Sequence, residues 1–267
     1  MIPTPCWLDY PLYAAQLGLR PVLVPADPAT LRLDLDALAG ALSPRTRAVV
    51  VTQPGNPSGL LASRAELREL GRLLESHRQG PAPWLISDEA HRDVVMPGER
   101  FVSPATCYHR TVVVYSFGKH LALQGQRIGY VAVSPRAPDH QSLARHLERL
   151  CRAQGFCTPT ALMQHALGRL LGLSAPVEAV AARRDRVVER LVAAGYDLVP
   201  SQATFFLYPR SPVPDDFAFV EALAREGVLV LPASLFHDRG RFRISLTGSE
   251  GMIDRALDVL VAAAEAA

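Results

Sequence analysis

Apolar runs rich in β-branched residues alternate along most of the chain with segments in which apolar residues recur every three or four positions. The first pattern is typical of buried strands, and the second is typical of helices that pack on a sheet. Strands that alternate with helices pair in parallel through right-handed crossovers, so the pattern predicts an α/β fold with a mostly parallel sheet and flanking helices. The predicted strands are 21–24, 48–52, 84–86, 111–115 and 128–133, and the predicted helices are 63–77, 139–154 and 159–171.

A second pattern begins at Pro176, from which a long amphipathic segment runs to Gly195. Proline favours the start of a helix and glycine favours its end, so one helix is predicted between them. Beyond it, the predicted strands are 204–208, 228–231 and 241–246, and the predicted helices are 215–226 and 249–264. We therefore expect two domains, a large one over 1–175 and a smaller α+β domain over 176–267.

The composition limits the partners that the protein can have. The chain is 49% hydrophobic and 20% charged with a formal charge of +2, so it can bury a core and is not a polycation. No apolar stretch approaches the roughly 18 to 20 residues that cross a bilayer. The cysteines Cys6, Cys107, Cys151 and Cys157 lack the spacing of a metal site. We expect a cytoplasmic protein with reduced thiols that binds no metal, nucleic acid or membrane.

Lys119 is the only lysine, since every other residue among the 28 Lys+Arg is arginine. Arginine replaces lysine as a surface charge, but its guanidinium stays protonated and is a poor nucleophile. A lysine amine deprotonates when it is buried and can form an imine. One hypothesis is therefore that the chain keeps a lysine for Schiff-base chemistry. The alternative is that a coding bias towards arginine left a single surface lysine.

The sequence around Lys119 favours the chemical hypothesis. Lys119 follows the predicted strand 111–115 directly, and ligands of open α/β sheets bind at the carboxyl ends of strands. Arg127 comes shortly afterwards, and its guanidinium can hold a phosphate through paired hydrogen bonds. The segment reads Ser116-Phe117-Gly118-Lys119, then Gly125-Gln126-Arg127-Ile128-Gly129-Tyr130. It resembles the lysine segment of class I/II aminotransferases, which are fold-type I enzymes that use pyridoxal 5′-phosphate (PLP).

Two further motifs resemble the same family in the same order along the chain. Asn56 opens the turn Asn-Pro-Ser-Gly after the strand 48–52, and the resemblance implies that it binds the phenolic oxygen of PLP and the substrate carboxylate. Asp88 lies in Ser-Asp-Glu after the strand 84–86, and the resemblance implies that it pairs with the protonated pyridine nitrogen. Taken alone, the first motif is a turn signal and the second is compatible with a solvated helix start.

Trp7 and Arg243 complete the resemblance. Trp7 matches the position from which the family stacks an aromatic ring on the pyridine, although core packing is the ordinary role of a tryptophan. Arg243 lies between Phe242 and Ile244 on a predicted strand, so it faces the opposite side from both. That side can be solvent, but the match to the family's Arg-x-Ser implies a clamp for the substrate α-carboxylate. Ser116 and Arg127 are the implied phosphate ligands.

The chain departs from the family pattern at several positions, among them Ala203 and Ala233, which occupy places where glycine is common. His91 stands where the family usually has a tyrosine, and an imidazole titrates near neutrality, so pH-sensitive activity is expected. Gly118 replaces a serine that would add a phosphate hydroxyl. The resemblance also implies that the family's N-terminal part is missing, including a turn at a helix N-terminus that cups the cofactor phosphate. We expect the DNA upstream of Met1 to encode, in frame, a further segment of roughly 100 residues.

The resemblance implies a homodimeric PLP-dependent aminotransferase that moves an amino group between an amino acid and a 2-oxo acid. Lys119 would hold PLP as a Schiff base and then carry a proton as a free amine. The large domain would be a partial PLP-dependent transferase domain. Two alternatives remain open, because this fold also supports C–S lyases and decarboxylases, and because a shortened chain can be a non-catalytic remnant.

Overall fold

The computed structural model describes residues 1–155, 158–174 and 176–266. Cys157 and the predicted domain boundary at residue 175 lie outside these ranges. The two N-terminal strands, β1 (Ile2–Thr4) and β2 (Leu23–Pro25), pair in parallel. The hydrophobic pattern predicted the second of these strands and missed the first, which has only three residues. Each helix within the described ranges is too short or too polar to cross a membrane.

The main sheet has four strands in the order β3-β4-β5-β6 and carries the candidate site at one edge. Strands β3, β4 and β5 are parallel, whereas β6 is antiparallel to β5. The residues between β5 and β6 form only one helical turn and a 3₁₀ turn, which is too little for the crossover that a parallel pair needs. The strands are β3 (Ala48–Thr52), β4 (Trp84–Asp88), β5 (Thr111–Ser116) and β6 (Gly129–Val133).

The predicted helices are present, and most of their ends agree within one or two residues. Ser63 caps the helix that starts at Arg64, and its side chain and Glu66 form the reciprocal hydrogen bonds of a capping box. Three short helices, at Tyr10–Gln16, Leu35–Ala41 and Phe117–His120, were not predicted. The helices up to residue 193 are α1 (Tyr10–Gln16), α2 (Leu35–Ala41), α3 (Arg64–Ser76), α4 (Phe117–His120), α5 (His140–Ala153), α6 (Ala161–Leu170) and α7 (Val177–Ala193).

A second, three-stranded antiparallel sheet follows α7, in the order β7-β9-β8. Its strands are shorter than predicted, and β8 lies at the end of the predicted segment 228–231 and beyond it. The elements are β7 (Phe206–Leu207), α8 (Asp216–Arg225), β8 (Leu231–Pro232), β9 (Phe242–Ser245) and α9 (Glu250–Glu265).

Two large apolar clusters correspond to the two halves of the chain. One packs around Val49, Leu70 and Leu85 beside the main sheet. The other is built mainly by α7, α8, α9 and the second sheet, and Val94 from the loop after β4 packs into it. Val94 and Met96 also bond this loop to the segment that leads into β7, because Val94 O accepts from Thr204 N at 2.7 Å. The loop after β4 therefore ties the C-terminal half to the edge of the main sheet.

Candidate active site

The carboxyl ends of β3, β4 and β5 meet at one edge of the main sheet. Thr52 and Asp88 end their strands side by side, because the parallel register pairs these two residues directly. Ser116 ends β5, and its Oγ accepts a hydrogen bond from Gly118 N at 3.2 Å, which starts α4. Lys119 lies in this single helical turn. The sheet therefore brings an aspartate and the only lysine of the chain to one edge.

Three charged groups and burial set the charge state of Lys119. Burial is the main reason that the pKa of its amine is lowered from the ordinary value, and the positive charge of Arg243 lowers it further. Asp88 acts in the opposite direction and raises the pKa, while Arg127 contributes a small lowering. A lowered pKa increases the fraction of unprotonated amine near neutral pH, and that form is the nucleophile and the proton acceptor.

Asp88 is held by groups on both of its carboxylate oxygens. Oδ1 accepts a hydrogen bond from Ala90 N at 3.0 Å, and Oδ2 accepts one from the hydroxyl of Tyr10. The same hydroxyl lies 3.0 Å from Thr52 Oγ1. Neither Tyr10 nor Thr52 was predicted from the sequence as a site residue. Tyr10 follows Trp7 by three residues, which is a weak signal, but its contact with Asp88 spans 78 residues and has no local pattern.

Asn56 and Arg243 come together across 187 residues of chain, because Arg243 Nη1 donates to Asn56 Oδ1 at 2.9 Å. The guanidinium lies 4.1 Å from the ring centre of Phe206 and 4.9 Å from that of Phe236. Burial lowers the pKa of Arg243 to about 10, so the group remains a cation at neutral pH. The alternative that Arg243 faces solvent is wrong, and the paired arginine and amide resemble a binding site for a carboxylate.

His91 is 3% exposed and lies among apolar groups. The rings of Phe205 and Phe206 approach its imidazole edge-on, with centroids 5.1 and 5.4 Å away. Within the described ranges, its buried Nδ1 has no hydrogen-bond partner. Burial lowers the pKa of His91 to about 3, and the nearby charges of Lys119 and Arg243 act in the same direction. The expectation that His91 titrates near neutrality is therefore wrong, because the imidazole stays neutral over the working pH range.

His91 should make the folded protein sensitive to acid. Its pKa is about 3 when folded and 6.5 in the reference state, so between these values the unfolded chain binds the extra proton. The free energy of unfolding should then fall by about 2 kcal/mol between about pH 7.5 and about pH 5. We expect His91→Phe to remove this loss in urea titrations across that range. The exposed His165 on α6 provides the control, and equal pH dependence of His91→Phe and His165→Phe would contradict the assignment.

The other predicted site residues, Trp7 and Arg127, form hydrogen bonds within their own segments of the chain. Trp7 is partly buried in the turn before α1, where its carbonyl accepts from Tyr10 N at 3.3 Å. Arg127 is exposed with a left-handed φ of 51°, and its Nη1 donates to Gln124 O at 3.1 Å. The positive charge of Arg127 nevertheless lowers the pKa of Lys119. Stacking by Trp7 and phosphate binding by Ser116 and Arg127 remain predictions.

Known proteins resemble this chain along nearly its whole length. The model of the family "Aminotransferase class I and II" matches residues 1–260. The aspartate aminotransferase of Rhizobium meliloti is 31% identical, over 99% of this chain and 68% of that protein. The aspartate/prephenate aminotransferase of Cereibacter sphaeroides is 30% identical, over 96% of this chain and 68% of that protein. The chain thus spans about two thirds of these relatives.

Solved structures agree with the sequence comparison. An amino transferase from Eubacterium rectale superposes with a TM-score of 0.93 at 30% identity, covering 99% of this chain and 67% of that one. The aspartate aminotransferase of Thermotoga maritima gives a TM-score of 0.87 at 26% identity, covering 98% of this chain and 68% of that one. The fold, the position of Lys119 directly after β5 and the family match have one explanation: this chain belongs to the class I and II aminotransferases.

Proposed function

We propose that this chain binds PLP at the carboxyl ends of β3, β4 and β5 and uses Lys119 to move an amino group between an amino acid and a 2-oxo acid. The observation that carries the proposal is the position of the only lysine, whose amine lies in the fields of Asp88, Arg243 and Arg127 and has a lowered pKa. An amine in this state is suited both to holding a carbonyl compound covalently and to moving protons. When bound, PLP supplies the electron sink that stabilises charge at the substrate Cα.

The residues present suit this cofactor. His91 Nδ1 is a buried polar atom without a partner in the described part of the chain, and such an atom is costly unless a ligand satisfies it. Asp88 offers a carboxylate for a ring nitrogen, while His91 and Asn56 offer donors for the phenolic oxygen. Ser116 and Arg127 would hold the phosphate, and Trp7 would cover the ring face.

The chemistry assigned to the chain's own residues is orientation and proton transfer. Arg243 and Asn56 already contact each other, so together they offer a cation and an amide to the substrate α-carboxylate. Lys119 would hold the cofactor and, as a free amine, would take up and release the proton that leaves the substrate Cα. Unprotonated amine is required for the first step, and the lowered pKa of Lys119 favours it.

Three further properties are part of the proposal. The two apolar clusters support a large PLP-binding domain over 1–175 and a small domain over 176–267, with Val94 as a contact between them. Apolar residues exposed on β6 and around α6, such as Val131, Leu162 and Leu173, support a homodimer. We also propose a cytoplasmic location. Light scattering of the active protein tests the dimer, and a catalytically competent monomer would contradict it.

Equilibrium dialysis with PLP, followed by an amino-transfer assay, tests the function. We expect saturable binding of one PLP per chain and conversion of a 2-oxo acid to its amino acid, with aspartate and aromatic amino acids as first donors because relatives bear those names. Release of carbon dioxide or sulfide instead of amino transfer would support a decarboxylase or a C–S lyase. No PLP binding at all would support a non-catalytic remnant.

A further inference from the structure

The hydroxyl of Tyr10 connects two strand ends of the candidate site. Tyr10 is the first residue of α1, and its side chain reaches Asp88 on β4 and Thr52 on β3. These two partners are neighbours in the parallel register. The contacts to Thr52 and Asp88 span 42 and 78 residues of chain, so only the folded sheet assembles the three groups.

The direction of these hydrogen bonds follows from the chemistry of the groups. An ionised carboxylate only accepts hydrogen bonds, so the single proton of Tyr10 must point to Asp88. Thr52 must then donate its own proton to the Tyr10 oxygen. Burial and the neighbouring negative charge of Asp88 both raise the pKa of Tyr10 well above its ordinary value, so the proton stays on the tyrosine. The result is a hydrogen-bond relay in which Thr52 donates to Tyr10 and Tyr10 donates to Asp88.

We propose that Tyr10 is a positioning residue, which fixes the carboxylate of Asp88 and reduces the negative charge that Asp88 presents to Lys119 and to a bound cofactor ring. One oxygen is tied to the hydroxyl and the other to Ala90 N, so the carboxylate cannot rotate without breaking a hydrogen bond. Each oxygen still has a free lone pair for a ligand. The part of the proposal that concerns the ring rests on the proposed function.

The only lysine of the chain makes this proposal measurable without cofactor. Reductive methylation with ¹³C-formaldehyde labels Lys119 and the N-terminal amine, and the Lys119→Arg variant identifies the N-terminal signal. The NMR shift of the labelled Lys119 then reports its titration in the apo protein. Asp88 raises the pKa of Lys119, whereas Arg243 and Arg127 lower it, so a change in the charge on Asp88 moves this titration.

Three variants give a graded expectation. Tyr10→Phe removes the donor, and the midpoint for Lys119 should move to higher pH by about half a unit or more. Thr52→Val removes only the hydroxyl that donates to Tyr10, so the midpoint for Lys119 should shift in the same direction by a smaller amount. Incorporation of 3-fluorotyrosine at position 10 strengthens the donor because a fluorinated phenol is more acidic, and the midpoint should move to lower pH. A purely structural role for Tyr10 would not produce shifts of opposite sign.

Equilibrium dialysis on the same proteins separates this inference from the proposed function. We expect Tyr10→Phe to raise the Kd for PLP about tenfold, because Asp88 is no longer held for the ring nitrogen. If the wild-type chain binds no PLP while the Lys119 midpoints follow the expected series, the proposed function fails and the action of Tyr10 on Asp88 stands. Unchanged midpoints in folded Thr52→Val and 3-fluorotyrosine proteins would overturn the inference, even if Tyr10→Phe does not fold.

Discussion

Replacement of Lys119 by arginine is expected to reduce amino transfer by at least about four orders of magnitude, the upper range for loss of a general acid–base group. Arginine keeps the positive charge, but its guanidinium neither forms the covalent link nor loses a proton at working pH. The lowered pKa of Lys119 is the property that this substitution removes. Steady-state kcat and the absorbance of bound PLP are the measurements, and both should be lost together.

Peptide mapping after borohydride reduction provides the companion test, since the reductant fixes PLP to the amine that holds it. Wild-type protein should carry the label on Lys119 alone. The matched control is a double variant that combines Lys119→Arg with Arg68→Lys, on the exposed face of α3. It again has one lysine, which now lies outside the candidate site. This double variant should acquire neither label nor activity. A stoichiometric adduct at the N-terminal amine of the wild-type protein would refute the assignment of Lys119.

Arg243→Gln is expected to raise the KM for both the amino acid and the 2-oxo acid about 10- to 150-fold, which corresponds to roughly 1.5 to 3 kcal/mol for a hydrogen bond to a charged group. Burial holds the pKa of Arg243 at about 10, so the cation is present at neutral pH and lies against Asn56. The absorbance of bound PLP should not change. An amine substrate without a carboxylate should be used equally well by both proteins, which isolates the contact that is lost.

Arg241 is the matched control for this substitution. It lies two residues earlier, is 3% exposed, and donates to Tyr208 O at 3.2 Å and to Pro28 O at 3.4 Å, so its contacts are structural. Arg241→Gln should lower the melting temperature without a selective effect on the KM for carboxylate substrates. If Arg243→Gln weakens PLP binding as much as substrate binding, Arg243 is a structural residue and the clamp is wrong.

The elements that the sequence predicted well are those whose signal is local. Strand β3 runs over the predicted residues, and α3 begins within one residue of the predicted start, because side-chain periodicity and capping involve residues close together in the chain. The short elements were missed because three to seven residues, as in β1 and α1, are too few for a period to be visible. Their positions depend on tertiary packing.

The candidate site divides in the same way. The sequence alone identified the only lysine and, through motifs, a set of residue types suited to PLP. The tertiary structure decided their surroundings, because the burial of His91, the hydrogen bond between Arg243 and Asn56, and the hydroxyl of Tyr10 on Asp88 depend on groups far apart in the chain. Burial and electrostatic interactions depend on distances in space, and no local sequence pattern gives the distance between residues that are far apart in the chain.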